Sequence, residues 1–236
     1  MKKYMILAII VCTIIAVSGC TINGWGSGNV INETKDVKGV KQVSLEGIGT
    51  IIIQQGDQES LRIEAEDNIM PHIQSKVEDE KLSISYDTNT PTPTKDVKYY
   101  LTVKDINSIR ITGAGKIQSN NITTKNLSII IDGAGNGDLS GLNLDKLNIN
   151  IAGAGKILIA GKVIEQTVVI AGAGNYEAKD LESENAIITI NGAGKGTVNV
   201  SKVLSAIING AGNLDYLGNP QINQQISGGG TVQKIS

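Results

Sequence analysis

The 236-residue sequence has few of the side chains on which enzyme chemistry depends. It has one histidine (His72), two cysteines, one tryptophan, six tyrosines and no phenylalanine. A single histidine excludes histidine-rich zinc sites, and two cysteines exclude a framework of several disulfides. We therefore predict a core of aliphatic side chains, and we expect neither a metal site nor a cofactor.

The chain also lacks a surplus of charge of either sign. Its 21 lysines and arginines stand against 23 aspartates and glutamates, which gives a formal net charge of −2. Nucleic-acid binding favours a strongly basic face, so we expect no nucleic-acid partner. The length is enough for one long domain or two short ones.

The first twenty residues have the pattern of an export signal. Lys2 and Lys3 precede an apolar run from Tyr4 to Val17, and small residues lead from there to Cys20. This pattern is similar to the lipobox of exported lipoproteins, in which the cysteine is diacylated and becomes the mature N-terminus. We predict that residues 1–19 are a signal peptide and that Cys20 anchors the exported protein in the cell envelope. A membrane-spanning helix is the alternative, but it needs about 20 apolar residues, more than this run has.

Residues 20–39 are predicted to be the lipidated cysteine and a flexible tether. The stretch from Thr21 to Asn29 is rich in glycine, serine and asparagine, which bury too little apolar surface to fold. Trp25 within it fits the membrane interface or a partner's pocket, and a solvated linker aromatic is the alternative.

A short motif recurs through the second half of the chain. The tripeptide Gly-Ala-Gly, with a final Gly-Gly-Gly variant, begins at Gly113, Gly133, Gly153, Gly172, Gly192, Gly210 and Gly228. An isoleucine always lies two residues before this glycine, and a mostly β-branched residue lies four before it. Such alternation into a glycine turn is typical of a short β-strand. Because the period is 18–20 residues, we predict an all-β solenoid of stacked coils, a parallel β-helix with glycines at the structural turns.

The same frame occurs once upstream, at Val43–Gly49, and an inserted region follows it. Four segments of that region alternate apolar and polar residues, and we interpret them as an antiparallel β-meander that caps the first coils. The four segments are residues 50–55, 60–65, 72–77 and 81–86. A loop rich in proline and threonine at 88–94 divides the predicted β domain, residues 40–236. Residues 40–94 would hold the first coil and the meander, and residues 95–236 the regular stack.

From about residue 40 to 233 the chain resembles the family described as putative auto-transporter adhesin, head GIN domain. The resemblance rests on the opening V-S-L-E-G-I-G-T-I-I-I-Q-Q-G, the K-L-S-I-S-Y strand, the serial I-x-G-A-G turns and the closing Y-L-G-N-P-Q-I-N-Q-Q-I-S-G-G-G. It implies a right-handed parallel β-helix in an envelope lipoprotein. It implies no particular reaction, because a fold of this kind does not by itself determine activity.

The residue after each Gly-Ala-Gly alternates between lysine and asparagine. In a stack, Lys116, Lys156 and Lys195 would lie about 10 Å from one another, about one Debye length at moderate salt. The spacing is explained by repulsion between stacked lysines. The alternative is a cationic file that binds an anionic polymer such as a wall polysaccharide.

We therefore expect a non-catalytic envelope lipoprotein with an adhesin-like binding module, whose partner is a cell-wall polysaccharide or an envelope protein. One alternative is a polysaccharide-active enzyme, which needs two carboxylates flanking one bond. The candidate carboxylates are dispersed over the repeats: Asp132, Asp138, Asp145, Asp180 and Asp215. Another alternative is a lipid- or protein-binding envelope subunit, with a pocket for an acyl chain between meander and helix. The segment Gly133–Asp138 is similar to a calcium-binding β-roll repeat, but its aspartate falls one residue late, so we expect no calcium.

Overall fold

The computed structural model describes residues 24–236, which form an all-β solenoid of about 6 turns, as predicted. The predicted signal peptide and Cys20 lie outside the described residues. The strands are β1 (Val30–Lys35), β2 (Gln42–Gly47), β3 (Thr50–Gln55), β4 (Ser60–Glu66), β5 (Ile73–Glu78), β6 (Lys81–Tyr86), β7 (Lys98–Val103), β8 (Ser108–Gly113), β9 (Lys116–Asn120), β10 (Thr123–Gly133), β11 (Asn136–Gly153), β12 (Lys156–Gly172), β13 (Asn175–Gly192), β14 (Lys195–Gly210), β15 (Asn213–Leu217), β16 (Gln221–Ser227) and β17 (Thr231–Lys234). A single 3-10 turn, Met70–His72, precedes β5. Within residues 24–236 no helix is long and apolar enough to span a bilayer.

Each regular coil has three sides. The first face is the strand segment that leads into the glycine corner, such as residues 147–153, and the second face is the segment after it, such as 156–160. The segment between the two faces, such as 161–165, continues the parallel pairing after a register shift and leads back to the first face. Neighbouring coils pair in parallel, so that Ile151 lies between Ile131 and Ile170. Identical positions therefore stack in columns, inside and outside the coil.

The interior of the stack is aliphatic, as predicted. The isoleucine two residues before the corner is fully buried in six coils: Ile111, Ile131, Ile151, Ile170, Ile190 and Ile208. Ile226 continues the pattern but is 40% exposed, because it lies on β16 and no described strand pairs beyond that strand. The predicted isoleucine ladder therefore ends one coil earlier than the sequence pattern does.

Two tyrosines are exceptions to the aliphatic core. Tyr99 and Tyr176 are fully buried, and burial raises the pKa of the Tyr176 hydroxyl. That hydroxyl donates a hydrogen bond to Oε1 of Gln166 at 2.8 Å, and Nε2 of Gln166 donates to Oγ of Ser183 at 2.8 Å. The buried polar groups thus satisfy one another, and Tyr176 is not available on the surface to contact a ligand.

The glycine corner is shaped by close contact between coils. Its first glycine has φ between +110° and +131° in all seven copies. A Cβ atom on Gly153 would lie 2.4 Å from the carbonyl oxygen of Gly133. That same oxygen accepts a hydrogen bond from the N–H of Ala154 at 2.9 Å, so the backbone pairing continues around the corner. Only glycine combines this left-handed conformation with this close approach.

The coil that comes first in the sequence lies inside the stack. β2 pairs in parallel with both β6 and β8, and β3 pairs in parallel with both β7 and β9. Val43, for example, lies between Leu82 and Ile109. Residues 50–55 and 81–86, which the sequence analysis placed in the meander, are therefore parts of coils. Apolar alternation does not distinguish a parallel strand from an antiparallel one, so long-range pairing decides between them.

The two ends of the solenoid differ. At one end β5 pairs antiparallel with β6, β4 with β7, and β1 with β4, which realises the antiparallel part of the predicted meander. We call this the capped end. The opposite end consists of β16 and β17, which pair in parallel with β14 and β15 respectively. We call it the open end. The loop at 88–94 lies at the capped end and joins β6 to β7 within one coil.

The segment predicted as a flexible tether is bound to the capped end from Gly24 onward. The buried carboxylate of Glu66 accepts hydrogen bonds from the N–H groups of Gly28 at 2.7 Å and Thr94 at 2.8 Å. The N–H of Gly26 donates to the carbonyl of Thr92 at 2.9 Å, and β1 follows as a full strand. The tether prediction was wrong for these residues because partners far along the chain satisfy a backbone whose own side chains bury little.

We predict that the Glu66 carboxylate makes the capped end sensitive to acid. The hydrogen bond from the Thr94 hydroxyl, with those from three backbone N–H groups, holds the pKa of Glu66 below its usual range. Its stabilisation is therefore complete above the pKa of the unfolded chain, about 4.3, and is lost as the pH falls through the lower folded value. Urea unfolding at several pH values should show that Glu66→Gln lowers stability at neutral pH and flattens the loss between about pH 5 and pH 3. The exposed Glu46→Gln is the control, and equal pH dependence in both variants would refute the role of Glu66.

We also predict that Gly153→Ala destabilises the stack by about 1–3 kcal/mol, since the new side chain meets both an unfavourable φ and a backbone oxygen. Gly229→Ala is the matched control, because a Cβ atom there has no neighbour within 4 Å. Chemical denaturation of both variants measures the difference in unfolding free energy. Equal stabilities would contradict the steric account of the corner.

Candidate functional site

The residues that follow each glycine corner form one column on the second face. Along the stack the column reads Lys98, Thr50, Lys116, Asn136, Lys156, Asn175, Lys195, Asn213 and Thr231. We call it the lysine file. Lys98 and Thr50 could not be placed in this column from the sequence, because their coils do not follow the order of the chain. The pairing separates every lysine of the file from the next by an uncharged residue.

Most lysines of this file are neutralised by neighbouring carboxylates. Nζ of Lys156 lies 2.9 Å from Glu177, Nζ of Lys195 lies 2.9 Å from Asp215, and Nζ of Lys98 lies 3.2 Å from Glu64. The hydrogen bond to Glu64 raises the pKa of Lys98.

Lys116 differs from the other lysines of the file. In residues 24–236 it has no carboxylate within 4 Å, and its side chain is exposed. Among the described residues, Lys116 is therefore the one lysine of the file without a neighbouring carboxylate. The lysine file is not a continuous row of positive charge.

A groove of about 710 Å³ lies on the second face, beginning two residues along β9 from Lys116. It spans three coils in the order β3, β9 and β11. Its walls are residues 52–55, 118–121, Asp138 and Ser140. We call it the amide groove, because glutamine and asparagine side chains supply most of its polar groups.

The polar groups of the amide groove fall into two sets. Some hold the groove in shape: both amide atoms of Gln55 bond the backbone of Thr123, at 2.8 and 3.0 Å, and Oγ of Ser140 donates to Asn120 at 2.6 Å. The side chains of Gln54, Gln118 and Asp138 are exposed and make no hydrogen bond or ion pair within the described residues.

Together these free groups offer donors and acceptors on one surface. An amide both donates and accepts hydrogen bonds, whereas an ionised carboxylate only accepts them. A ligand with many hydroxyl groups can use both kinds of contact.

Apolar contact at one end of the groove comes from β3 and β7. Ile52 is paired with Tyr100 on one side and with Gln118 on the other. The guanidinium of Arg62 covers one face of the Tyr100 ring, 3.6 Å from its centroid. Because that face is occupied and Tyr100 does not line the groove, apolar contact at this point falls to Ile52.

Of the five aspartates considered for catalysis, Asp145 lies with Glu182 and Glu184 in a second groove of about 560 Å³, whereas three others are paired or isolated. Asp132 is paired with Arg110, and Asp215 is paired with Lys195. Asp138 stacks between Gln118 and Leu158, so no carboxylate lies directly above or below it. Among residues 24–236 no group of three histidine, cysteine, aspartate or glutamate side chains could hold a metal ion.

The other residues singled out from the sequence lie at the capped end. Nδ1 of His72 lies 2.9 Å from Asp87, which gives this histidine a carboxylate partner. Near the capped end, where an acyl-chain pocket was considered, the hydroxyls of Tyr99 and Tyr86 are 2.6 Å apart, and a cavity beside them has a volume of about 180 Å³. Burial raises the pKa of Tyr86 to about 12, so both tyrosines stay neutral at physiological pH.

Comparison with known proteins gives one family and several similar structures. The family model described as putative auto-transporter adhesin, head GIN domain, matches residues 40–220. No curated protein matches the chain. A structure of a putative adhesin from Bacteroides fragilis is 28% identical, with a TM-score of 0.82, over 89% of this chain and 99% of that one.

Two further structures show the same fold at lower identity. One is a putative lipid binding protein from Parabacteroides distasonis, 21% identical with a TM-score of 0.73, over 90% of this chain and 99% of that one. The other is a putative adhesin from Parabacteroides merdae, 20% identical with a TM-score of 0.66, over 90% of this chain and 98% of that one. At this identity the likeness concerns the architecture alone.

Proposed function

The chain belongs to the putative auto-transporter adhesin, head GIN domain family, and we propose that it is a non-catalytic, lipid-anchored envelope protein whose solenoid binds a polysaccharide. The family match confirms the resemblance inferred from the glycine turns. The adhesin description of the family and of the Bacteroides fragilis structure supports a binding role over a reaction. The choice of a polysaccharide as the ligand rests on the amide groove.

The chemistry of the amide groove favours a ligand rich in hydroxyl groups. Gln54, Gln118 and Asp138 present unused donors and acceptors, and the groove is long enough to cross three coils. Lys116, two residues before Gln118, adds a favourable contact for any acidic sugar in the polymer. Lys156 and Lys195 contribute little, because Glu177 and Asp215 already compensate their charges.

We predict that binding to the host's isolated wall polysaccharide depends on the amide groove. In co-sedimentation assays the double variant Gln118→Ala, Asp138→Ala should bind about tenfold more weakly or worse, since it loses several hydrogen bonds. Lys116→Ala should reduce the salt-sensitive part of the binding, whereas Lys156→Ala, in the same file, should bind like the wild type. Unchanged binding of the double variant, or equal effects of the two lysine variants, would overturn the assignment.

The position of Gly24 supports an orientation for the anchored protein. Gly24 is four residue steps from Cys20, so the backbone of the cysteine can lie at most about 14 Å from Gly24. Trp25 is 69% exposed there, and an exposed tryptophan fits the interface between membrane and water. In this proposal the capped end faces the bilayer and the open end points away from it.

We predict that Cys20→Ser releases the protein from the membrane, because the two acyl chains supply the anchoring. Fractionation of cells, together with metabolic labelling by a radioactive fatty acid, measures both the location and the modification. Cys12→Ser is the matched control and should stay labelled and anchored, since Cys12 lies in the predicted signal peptide. A Cys20→Ser protein that remained in the membrane fraction would refute lipid anchoring.

A further inference from the structure

The open end of the solenoid is a bare strand edge. β16 pairs with β14 alone, and all seven of its residues are exposed. About half of the N–H and C=O groups of such a strand point away from its neighbour and have no strand partner within residues 24–236. This edge is therefore a template for one further strand.

The hydrophobic core continues onto this edge. Ile222 is paired with Leu204, and Ile226 is paired with Ile208. The two inner partners are fully buried, whereas Ile222 and Ile226 are 36% and 40% exposed. Covering the open end would remove two large apolar side chains from water.

At the open end, β16 lacks the features that keep an edge strand from pairing. β16 reads Q-I-N-Q-Q-I-S and contains neither a charged residue nor a proline. The outer strands of the capped end differ, because β1 carries Glu33 and Lys35 and β5 carries Lys76 and Glu78. Unlike β1 and β5, β16 thus has no charge that protects it against association.

We propose that the open end pairs with the open end of a second copy of this chain, with β16 antiparallel to β16 of that copy. Amide side chains make up most of β16, and each both donates and accepts hydrogen bonds, so identical strands complement each other. These amides are Gln221, Asn223, Gln224 and Gln225. The strand has no charge, so two copies do not repel each other.

The symmetry of this contact limits the assembly to two copies. A two-fold axis through the middle of β16 reverses the strand direction and brings Gln224, the central residue, beside its own copy. The charged capped ends then lie at the two outer tips, where the assembly stops. The contact is no larger than one coil cross-section, so we expect reversible association with a dissociation constant of roughly micromolar or weaker.

A role for the pairing in adhesion follows from the proposed lipid anchoring. Only this step of the inference rests on the proposed function. With a lipid at each capped end, the two anchors lie at opposite tips of the pair. Two chains joined in this way would connect two facing membranes. The second copy is then an adhesion partner on the opposing surface.

Sedimentation velocity of residues 24–236 at increasing concentration tests the pairing directly. The wild type should form a reversible dimer. Gln224→Lys should weaken it at least tenfold, because it places two like charges at the centre of the contact. Thr167→Lys is the matched control and should dimerise like the wild type, since it adds the same charge at an exposed position on β12, which β13 and β14 separate from β16.

Mixing two variants separates a direct contact from an effect on folding. Gln224→Lys and Gln224→Glu should each be monomeric alone and should associate when mixed, because their opposite charges meet. A wild type that stays monomeric at the highest concentration, equal behaviour of the two lysine variants, or a mixture that stays monomeric would overturn the proposal.

Vesicles distinguish this contact from the proposed anchoring. Protein coupled through residue 20 to phosphatidylcholine vesicles should cluster them, and Gln224→Lys should not. Dimers in solution without clustering of vesicles would uphold the pairing and refute the orientation of the anchored protein.

Discussion

The structure depends on backbone pairing that is not interrupted at the glycine corner. At each corner the carbonyl of one coil accepts the N–H of the next, as Gly133 does from Ala154 at 2.9 Å. This close approach requires a left-handed φ and the absence of a Cβ atom, so glycine alone fits. Because the corners fix the register, isoleucine stacks on isoleucine inside the coil, and lysine and asparagine share one column outside it.

A fixed register turns the surface into columns, and the charges of those columns must be compatible. Like charges one strand spacing apart repel each other, and the alternation of Lys116, Asn136 and Lys156 avoids this contact. Diagonal carboxylates then neutralise the paired lysines. The amide groove lies where the regular repeat is interrupted. There β3, which belongs to no Gly-Ala-Gly repeat, contributes Ile52 and Gln54 to the surface. The proposed binding surface thus lies beside a coil that is out of chain order.

The repeat could be predicted from the sequence because its signals are local. Ile-x-Gly-Ala-Gly encodes strand, turn and inward face within five residues, so the fold class and the column of Lys116, Lys156 and Lys195 followed from spacing. The amide groove could not be predicted, because Gln54 and Gln118 meet only through a pairing between distant segments. The docking of Gly28 on Glu66 is likewise a contact across 38 residues, which composition does not reveal.

Every stack of parallel coils has two edges, and each edge must be treated in some way. At the capped end the chain leaves the first coil after β3 and forms β4 and β5 at the end of the stack. It then returns through β6 and β7 to fill the layer between the cap and the first coil. The unusual coil order is therefore a consequence of building a cap from inside the chain. Within residues 24–236 no such excursion occurs after β14, so the outer backbone groups of β16 and its two isoleucines stay uncovered. The capped end is thus closed by strands of the same chain. The open end keeps an edge that can pair with a strand of another molecule.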